Sequence, residues 1–590
     1  MPVDELKRHY DDCYEDTRRW AELLDKISTR RFSSLLKEMR GRTKIGRLVD
    51  VGCSFGAFLE AAQKDGWEAI GVELSENVAR YGIEEKHLDV INAPLEQANL
   101  KDSSFDAVTM WHTLEHVPHP MSTLHECARI LKPGALVAVE VPNTTFQLAK
   151  SKVFSLLGKP EMGLEKGSHL NHFTAQSLRQ ALKMAGFQGI EIIPGYGSAH
   201  THRTLSLRLK ESYGDFCRQM CEWTGAQLGN TICAFAWKGV ETSELQTQEK
   251  PFVSVVVPTY NRRCALKKTL HSLFRQDYPH DRFEIIVVDD CSSDDTDKIV
   301  TSITHLSPVE LKYVCAHSNM GPGASRNLGI RKARGEIIAF ADGDIIPCSS
   351  WLSNGLQPFM QSPLIGGVEG MTVPHDEGRI TPFTHMTANT TGGRFPTCNM
   401  FYRKKVLEIV GGFDESFYDR GSKVHFREDL DTAIAVMRRG FNIPFASGAL
   451  ASHPPHDPYM RRPIDLAKRY FHDPRLMQKH PRKWRKWIDP LKIGPWMVSM
   501  PRHKLYSLYL ACAVSLAPAW VLGDFTLSVA VTAGFLLCSL GVIALHVRGC
   551  RDCPIKDIAL AVPVALACPF VFAYSWVKGW ASKNENGVDP

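Results

Sequence analysis

Asp342 and Asp344 stand one residue apart where the apolar run Ala339-Phe-Ala ends, just ahead of Ile345-Ile-Pro347. Carboxylate oxygens are the ligands that Mg²⁺ and Mn²⁺ prefer, and a metal left with open positions can neutralise the pyrophosphate of a nucleotide-sugar. A turn or a solvated acidic pair shows the same pattern, so the surroundings must decide. A second constellation lies far upstream. Gly52 and Gly56 sit in Asp50-Val-Gly-Cys-Ser-Phe-Gly, and Glu73 closes Ala69-Ile-Gly-Val about twenty residues on. Glycines let the backbone approach a ligand closely, and an acid ending the second strand can accept hydrogen bonds from ribose hydroxyls. By itself this loop also suits a dinucleotide dehydrogenase.

Both constellations need strands and turns to position them. Val253-Ser-Val-Val-Val-Pro258-Thr-Tyr-Asn261 reads as a buried strand entering a proline-punctuated turn, with an amphipathic helix near Ala265 to Gln276. Phe283-Glu-Ile-Ile-Val-Val-Asp289-Asp290 reads as a second strand, entering the loop Cys291-Ser-Ser-Asp294-Asp295-Thr. This is the start of an α/β sheet, and such sheets bind ligands at the carboxyl ends of their strands, where both acidic clusters fall. The order continues through Asn319-Met-Gly321-Pro-Gly323-Ala-Ser-Arg326-Asn327, Gly411-Gly-Phe-Asp414 and Arg427-Glu428-Asp429-Leu-Asp431.

With these five ordered motifs the chain resembles the family 2 glycosyltransferases over roughly Phe252 to Asp457. The resemblance implies a glycosyltransferase A fold. It places Pro258, Tyr260, Asp289, Asp290 and Arg326 at the nucleotide-sugar, and Asp342 and Asp344 on the sugar diphosphate through a metal, with Asp344 as the direct ligand. It makes Asp429, paired with Glu428, the general base for in-line, inverting attack by an acceptor hydroxyl. The chemistry asks for the same parts: a hydroxyl is a weak nucleophile and the leaving diphosphate is anionic, so a base and a cationic clamp are both needed. The Glu428 segment also suits a helix start, where acids complement the dipole while Leu430, Ile434 and Met437 face a core. His453, in Ser452-His-Pro-Pro-His456, is either a further metal or phosphate contact, as in some relatives, or a surface-loop histidine.

Around the glycine loop, Ser104-Phe-Asp106-Ala-Val-Thr-Met-Trp-His112-Thr-Leu-Glu115-His116-Val-Pro and Ile130-Leu-Lys-Pro133-Gly134 follow, with Ala-Leu-Val-Ala-Val-Glu-Val-Pro142-Asn143 after them. Here the chain resembles the class I S-adenosylmethionine-dependent methyltransferases, over roughly Gly46 to Gly239, with a Rossmann-like fold. The resemblance implies that Asp50, Gly52, Gly56 and Glu73 bind the cofactor and that Ala93 or Leu95 lies near its adenine. Ser54 stands where many relatives have another glycine. Ile190-Glu-Ile-Ile-Pro and Thr231-Ile-Cys-Ala-Phe-Ala-Trp are candidates for the antiparallel pair that closes such a sheet. Methyl transfer depends mostly on alignment, so a dedicated base is optional. His116, His169 and His172 are candidates for one, with a helix cap or a structural histidine as the alternative for each.

A chain of 590 residues is too long for one core. The motifs divide it into an N-terminal helical segment (1–44), a methyltransferase domain (45–240), a polar linker (241–251) and a glycosyltransferase domain (252–458). A basic membrane-surface segment (459–504) and two to three transmembrane helices (505–580) complete it. The membrane reading rests on the apolar runs Leu505 to Leu522, Phe525 to Val547 and Ile558 to Trp576. Pro518, Pro563 and Pro569 within them are tolerated better by membrane helices than by soluble ones. Tyr459 to Lys504 holds thirteen Lys or Arg against three Asp, interleaved with Trp484, Trp487 and Trp496. That composition fits the anionic, cytoplasmic face of a membrane, and no apolar N-terminal signal precedes the catalytic motifs. The block outweighs the formal net charge of +6 and leaves the rest mildly acidic, so nucleic acid is not an expected partner. The sixteen cysteines are irregularly spaced and do not suggest a disulfide framework.

The expected whole is a multi-pass protein of the cytoplasmic membrane with both catalytic domains on the cytoplasmic side. It would use S-adenosylmethionine, a divalent metal (Mg or Mn) and a UDP-, GDP- or dTDP-linked sugar to modify a glycan or lipid-linked acceptor in cell-surface polysaccharide or glycolipid biosynthesis. A processive polysaccharide synthase with an accessory methyltransferase is the alternative. Such synthases carry Gln-x-x-Arg-Trp near the membrane, whereas Gln478 and Arg482-Lys-Trp484 have a different spacing. A third reading makes one domain a scaffold.

Overall fold

The computed structural model describes residues 7–8, 11, 21, 31–156, 169–195, 217, 221, 229–239, 250–375, 380–384, 387–421, 424–455, 458–480, 491–493, 496–498, 501–522, 525–547, 550 and 553–581. Trp20, Leu23, Leu24 and Ile27, apolar positions at helical spacing in the N-terminal segment, lie outside them, as do the polar linker up to Glu249, Trp484 and Trp487. The chain divides into two compact units, Met1–Glu241 with Pro590, and Thr242–Asp589.

The first unit is built on β1 (Arg47–Val51), β2 (Glu68–Glu73), β3 (Val90–Asn92), β4 (Phe105–Trp111), β5 (Leu131–Pro142), β6 (Phe187–Pro194) and β7 (Thr231–Lys238). They form one sheet in the order β3-β2-β1-β4-β5-β7-β6. The first five strands are parallel, and β7 runs antiparallel between β5 and β6, so the two late apolar runs do close the sheet. The continuous apolar runs have a direct cause: both faces are covered. Val49, Val108 and Val137 enter one core while their neighbours Leu48, Ala107 and Leu136 enter the other, as the two-residue period of a strand requires.

The second unit contains β8 (Val253–Thr259), β9 (Phe283–Asp289), β10 (Glu310–Cys315), β11 (Ile337–Ala341), β12 (Ile346–Pro347), β13 (Gly367–Pro374) and β14 (Asn399–Arg403). A small pair, β15 (Tyr418–Asp419) and β16 (Val424–His425), precedes β17 (Phe445–His453). The sheet order is β10-β9-β8-β11-β14-β13-β17-β12. β8, β9, β10 and β11 are parallel, with Thr259 beside Asp289, so their carboxyl ends lie at one edge. Pro258 belongs to the strand rather than to the turn, which starts one residue beyond Thr259. The helix after it spans Arg263–Leu273.

Beyond the sheet, helices Arg462–Lys468 and Asp473–Lys479 fold within the same unit, and a short hairpin pairs Leu491–Ile493 with Trp496–Val498. The sequence reading did not foresee this hairpin. Three helices follow, Pro501–Val521, Phe525–Val547 and Ile555–Ala581, each long and apolar enough to cross a membrane. Tyr506, Cys538, Val542, Cys568 and Phe572 pack between them. Val521, Phe525, Leu537 and Tyr574 point outward uncovered, as side chains in contact with lipid do.

Candidate functional site

In the second unit Asp342 and Asp344 follow β11, and Asp289 and Asp290 close β9. Asp290 is buried, and its carboxylate accepts the amides of Met320 (2.7 Å) and Gly321 (2.9 Å), fixing the loop that starts helix Pro322–Lys332. Asp289 accepts from Ser292 N at 2.9 Å and from the Tyr313 hydroxyl. Tyr260 stands at the same edge and is 38% exposed, beside the buried Thr259.

Arg326 joins this edge to the other carboxylates. Buried on its helix, it donates to Asp342 Oδ1 at 3.1 Å and lies 3.4 Å from Glu428 Oε1, a residue 102 positions further along the chain, so the two carboxylates share one guanidinium. Glu428 and Asp429 open helix Glu428–Arg438, whose first turn is acidic as the dipole favours, while Leu430 and Ile434 are buried. Burial would raise the Glu428 carboxyl, but the hydrogen bond and charge of His425, with Arg326 behind them, hold it at about 2. Asp429 has the opposite fate. Burial and then repulsion from Glu428 push it up to about 7, against the Leu430 amide (2.7 Å), Arg326 and Arg427. Two adjacent carboxyls are thereby driven apart, the arrangement by which a proton acceptor is tuned toward neutral pH.

Asp344 is buried among cationic and neutral nitrogens. Arg262 pairs with its Oδ2, and His453 Nε2 stands 3.5 Å from Oδ1, an oxygen without a hydrogen-bond partner among the described residues. His453 is buried at the end of β17, and burial lowers its pKa, so its ring is neutral and able to offer a lone pair. It is therefore not a surface-loop histidine. Arg262 and His425 were not singled out from the sequence. Their only signal was adjacency to Asn261 in one case and to Glu428 in the other.

In the first unit the turn after β1 carries three left-handed residues, Gly52 (φ +70°), Ser54 (φ +50°) and Gly56 (φ +78°). A Cβ at Gly52 would stand 2.4 Å from Thr113 Oγ1, so the loop has no room there. Glu73 accepts the Ser54 amide on one oxygen and the Ser75 amide on the other, each at 2.9 Å, tying the loop to the end of β2. Asp50 is buried and accepts the Thr109 hydroxyl at 2.7 Å; burial pushes its carboxyl up to about 8. Leu95 packs in the core, while Ala93 is partly open.

The three histidines gather in one place. His116 and His169 lie with ring centroids 5.0 Å apart, and His172 is 6.4 Å from His169. Glu115 stands with them: one ligand-capable atom each from Glu115, His116 and His169 lie within 4.8 Å of one another. Glu115 is buried and pairs with His112 Nδ1 at 3.1 Å through Oε1, while Oε2 has no hydrogen-bond partner among the described residues. Glu140, buried on β5, accepts from Arg31 (3.0 Å) and Thr231 (2.9 Å) and lies 3.8 Å from His112 Nε2. Glu115, Glu140 and His112 were absent from the sequence-based candidates, since nothing in a linear reading brings β5 to the loop after β4.

Two family descriptions match the chain: glycosyl transferase family 2 over residues 254–418 and a methyltransferase domain over residues 12–192. Glycosyltransferase AglE of Haloferax volcanii is 31% identical over 216 residues, covering 35% of this chain and 68% of that protein. A ubiquinone biosynthesis O-methyltransferase of Alkalilimnicola ehrlichii is 37% identical over 131 residues, 21% of this chain and 52% of its own length. The chain thus spans about half of that methyltransferase relative. A solved structure of the mannosyltransferase PcManGT from Pyrobaculum calidifontis, in complex with GDP-Man and Mn²⁺, has 21% identity. It covers 56% of this chain and 88% of its own, at a TM-score of 0.38. The chain belongs to the family 2 glycosyltransferases. A methyltransferase domain precedes the glycosyltransferase domain, and three apolar helices follow it.

Proposed function

We propose that this protein transfers a sugar, with inversion, from a nucleotide-sugar to an acceptor hydroxyl, and a methyl group from S-adenosylmethionine, both in the building of a cell-surface glycan or glycolipid. The observation that carries the sugar-transfer reading is the buried Glu428 and Asp429 pair, in which Glu428 is tied through Arg326 to Asp342 while Asp429 is pushed up to about 7. Asp429 takes the proton of the acceptor hydroxyl as that oxygen attacks the anomeric carbon and the nucleoside diphosphate leaves from the opposite face. Glu428 stays ionised and keeps Arg326 in place. Tyr260, Pro258, Asp289 and Asp290 shape the nucleoside end.

The donor set at β11 fits a divalent metal: two carboxylates, an orphaned buried oxygen on Asp344 and a neutral His453 ring. Asp344, Asp342 and His453 would hold it, and when bound it supplies positive charge to the departing diphosphate. Arg262 pairs with the other Asp344 oxygen. In the first unit the left-handed glycine turn and Glu73 fit S-adenosylmethionine, with Asp50, Gly52 and Gly56 along the loop and Ala93 or Leu95 beside the adenine; when bound it supplies the electrophilic methyl. His116, His169 and His172 are the candidates to take the proton from the acceptor, a reading their clustering supports. The membrane helices hold both activities at the cytoplasmic membrane, facing the cytoplasm, where one lipid-linked acceptor meets both sites at high effective concentration.

The test is to supply the purified full-length protein with membrane lipid extract, labelled S-adenosylmethionine and UDP-, GDP- and dTDP-sugars, with Mn²⁺ or with chelator. Metal-dependent sugar incorporation and methyl incorporation into the lipid fraction are expected. No release of nucleoside diphosphate from any donor would defeat the sugar-transfer reading, and no bound S-adenosylmethionine the other.

A further inference from the structure

Arg427 precedes Glu428 in a conformation that side chains rarely adopt, φ +81°, and it is buried. Such a residue persists only where its surroundings hold it there. What holds it comes from after the sheet. Arg427 Nε donates to Asp473 Oδ1 at 2.7 Å, Nη2 lies 3.4 Å from Oδ2, and the guanidinium rests 4.1 Å from the Phe426 ring centroid. Asp473 is fully buried, at the start of helix Asp473–Lys479. The other end of that helix fastens the same catalytic helix: Lys479 Nζ donates to Asp431 Oδ2 at 2.7 Å, and His480 Nε2 lies 2.8 Å from Asp431 Oδ1.

Asp473 has a second partner, and it belongs to the first apolar helix. His503 Nε2 is in hydrogen-bond contact with Asp473 Oδ2, and its Nδ1 has no partner among the described residues. An aromatic cluster seals the junction, with ring centroids of Tyr470 and His503, Tyr470 and Phe572, and His503 and Phe572 each 5.0 Å apart. Phe572 is on the third apolar helix. Gly579 of that helix lies so close to the turn below that a Cβ there would stand 2.1 Å from the Phe471 carbonyl oxygen.

We infer that Asp473 and His503 are positioning residues for sugar transfer: through Arg427 they set the turn that aims Glu428 and Asp429, so the apolar helices complete the catalytic loop as well as anchoring it. Neither residue touches the reacting atoms; each acts through Arg427. The inference rests on the reading of Asp429 as the base. It follows that the carboxylates are properly aimed only when the helices are folded in place, which confines turnover to the membrane-inserted protein.

The test uses the full-length protein in lipid nanodiscs, with nucleoside diphosphate release from whichever of the UDP-, GDP- or dTDP-sugars the unaltered protein turns over, in the presence of membrane lipid extract. Affinity for the matching nucleoside diphosphate with Mn²⁺ is measured alongside. His503→Leu and Asp473→Asn should each lower kcat about tenfold or more with nucleotide affinity within about twofold, a loss confined to the reacting step. His503→Gln, which restores a donor to Asp473, should recover kcat to within about threefold. Unchanged turnover in His503→Leu and Asp473→Asn would overturn the inference. So would a loss of nucleotide affinity in step with turnover that His503→Gln does not rescue, the pattern of a purely structural role. Asp429→Asn is the separating control: if it turns over normally while His503→Leu does not, the base reading fails and the positioning acts on another group of the same turn.

Discussion

Asp429 is useful as a base only when ionised, and its environment sets the pH at which that happens. Burial comes first and the Glu428 charge second in pushing it up to about 7, while Arg326 and Arg427 pull the other way. Sugar transfer should therefore fall as pH drops through about 7, and recover above it. Glu428→Gln removes the repulsion, so the acid limb of the kcat profile should move to lower pH; a limb that stays put would assign it to another group. Asp429→Asn keeps the shape and loses the acceptor, and kcat should drop by about a hundredfold or more with donor affinity retained. Asp344→Ala should abolish Mn²⁺-dependent donor binding, read by calorimetry with the nucleoside diphosphate, and leave S-adenosylmethionine affinity unchanged. Asp344 was legible as a candidate because an acid closing an apolar run stands out, and Glu428 and Asp429 because paired acids suit a helix start. Arg262 and His425 were not, because an ion pair is recognised only when both partners are seen, and Asp344 lies 82 positions from the first.

Elements divide in the same way. Strands buried on both faces are continuous apolar runs, so β1, β4, β5, β8, β9 and β11 could be read directly, and so could the antiparallel closure by β7. The segment after the second sheet is legible only in part, for a physical reason. Thirteen basic residues against three acidic suggest a surface facing anionic lipid, yet Lys479 is held between Asp414 and Asp431, and His480 is buried against Asp431. Composition counts charges without saying which are neutralised inside the protein. For the glycine loop the decisive element is the turn that Glu73 ties to β2 through the Ser54 and Ser75 amides. Glu73→Ala removes both ties and the acceptor for ribose hydroxyls, a loss of about 1.5 to 3 kcal/mol, or roughly ten- to a hundred-and-fifty-fold in S-adenosylmethionine affinity. Binding as tight as in the unaltered protein would remove Glu73 from the cofactor site.

At the scale of the whole molecule each compact unit has its own core, and the apolar helices belong to the second. Ending the chain before Pro501 should therefore divide the properties of the protein rather than abolish them together. S-adenosylmethionine binding should persist, because every residue assigned to it lies before Glu241. Sugar transfer should fall sharply, because Arg427 keeps Asp473 while Asp473 loses His503 and Tyr470 loses Phe572, the contacts that hold that junction closed. The shortened protein should still associate with anionic vesicles at low salt through Arg482, Lys483, Arg485 and Lys486. Each basic residue near such a surface contributes about 1 kcal/mol, and a Debye length near 8 Å at physiological salt weakens that attraction. Vesicle flotation across a salt series reads this directly. Release as salt rises assigns the residual attachment to charge, whereas retention at high salt would mean that apolar surface ahead of Pro501 also enters the bilayer.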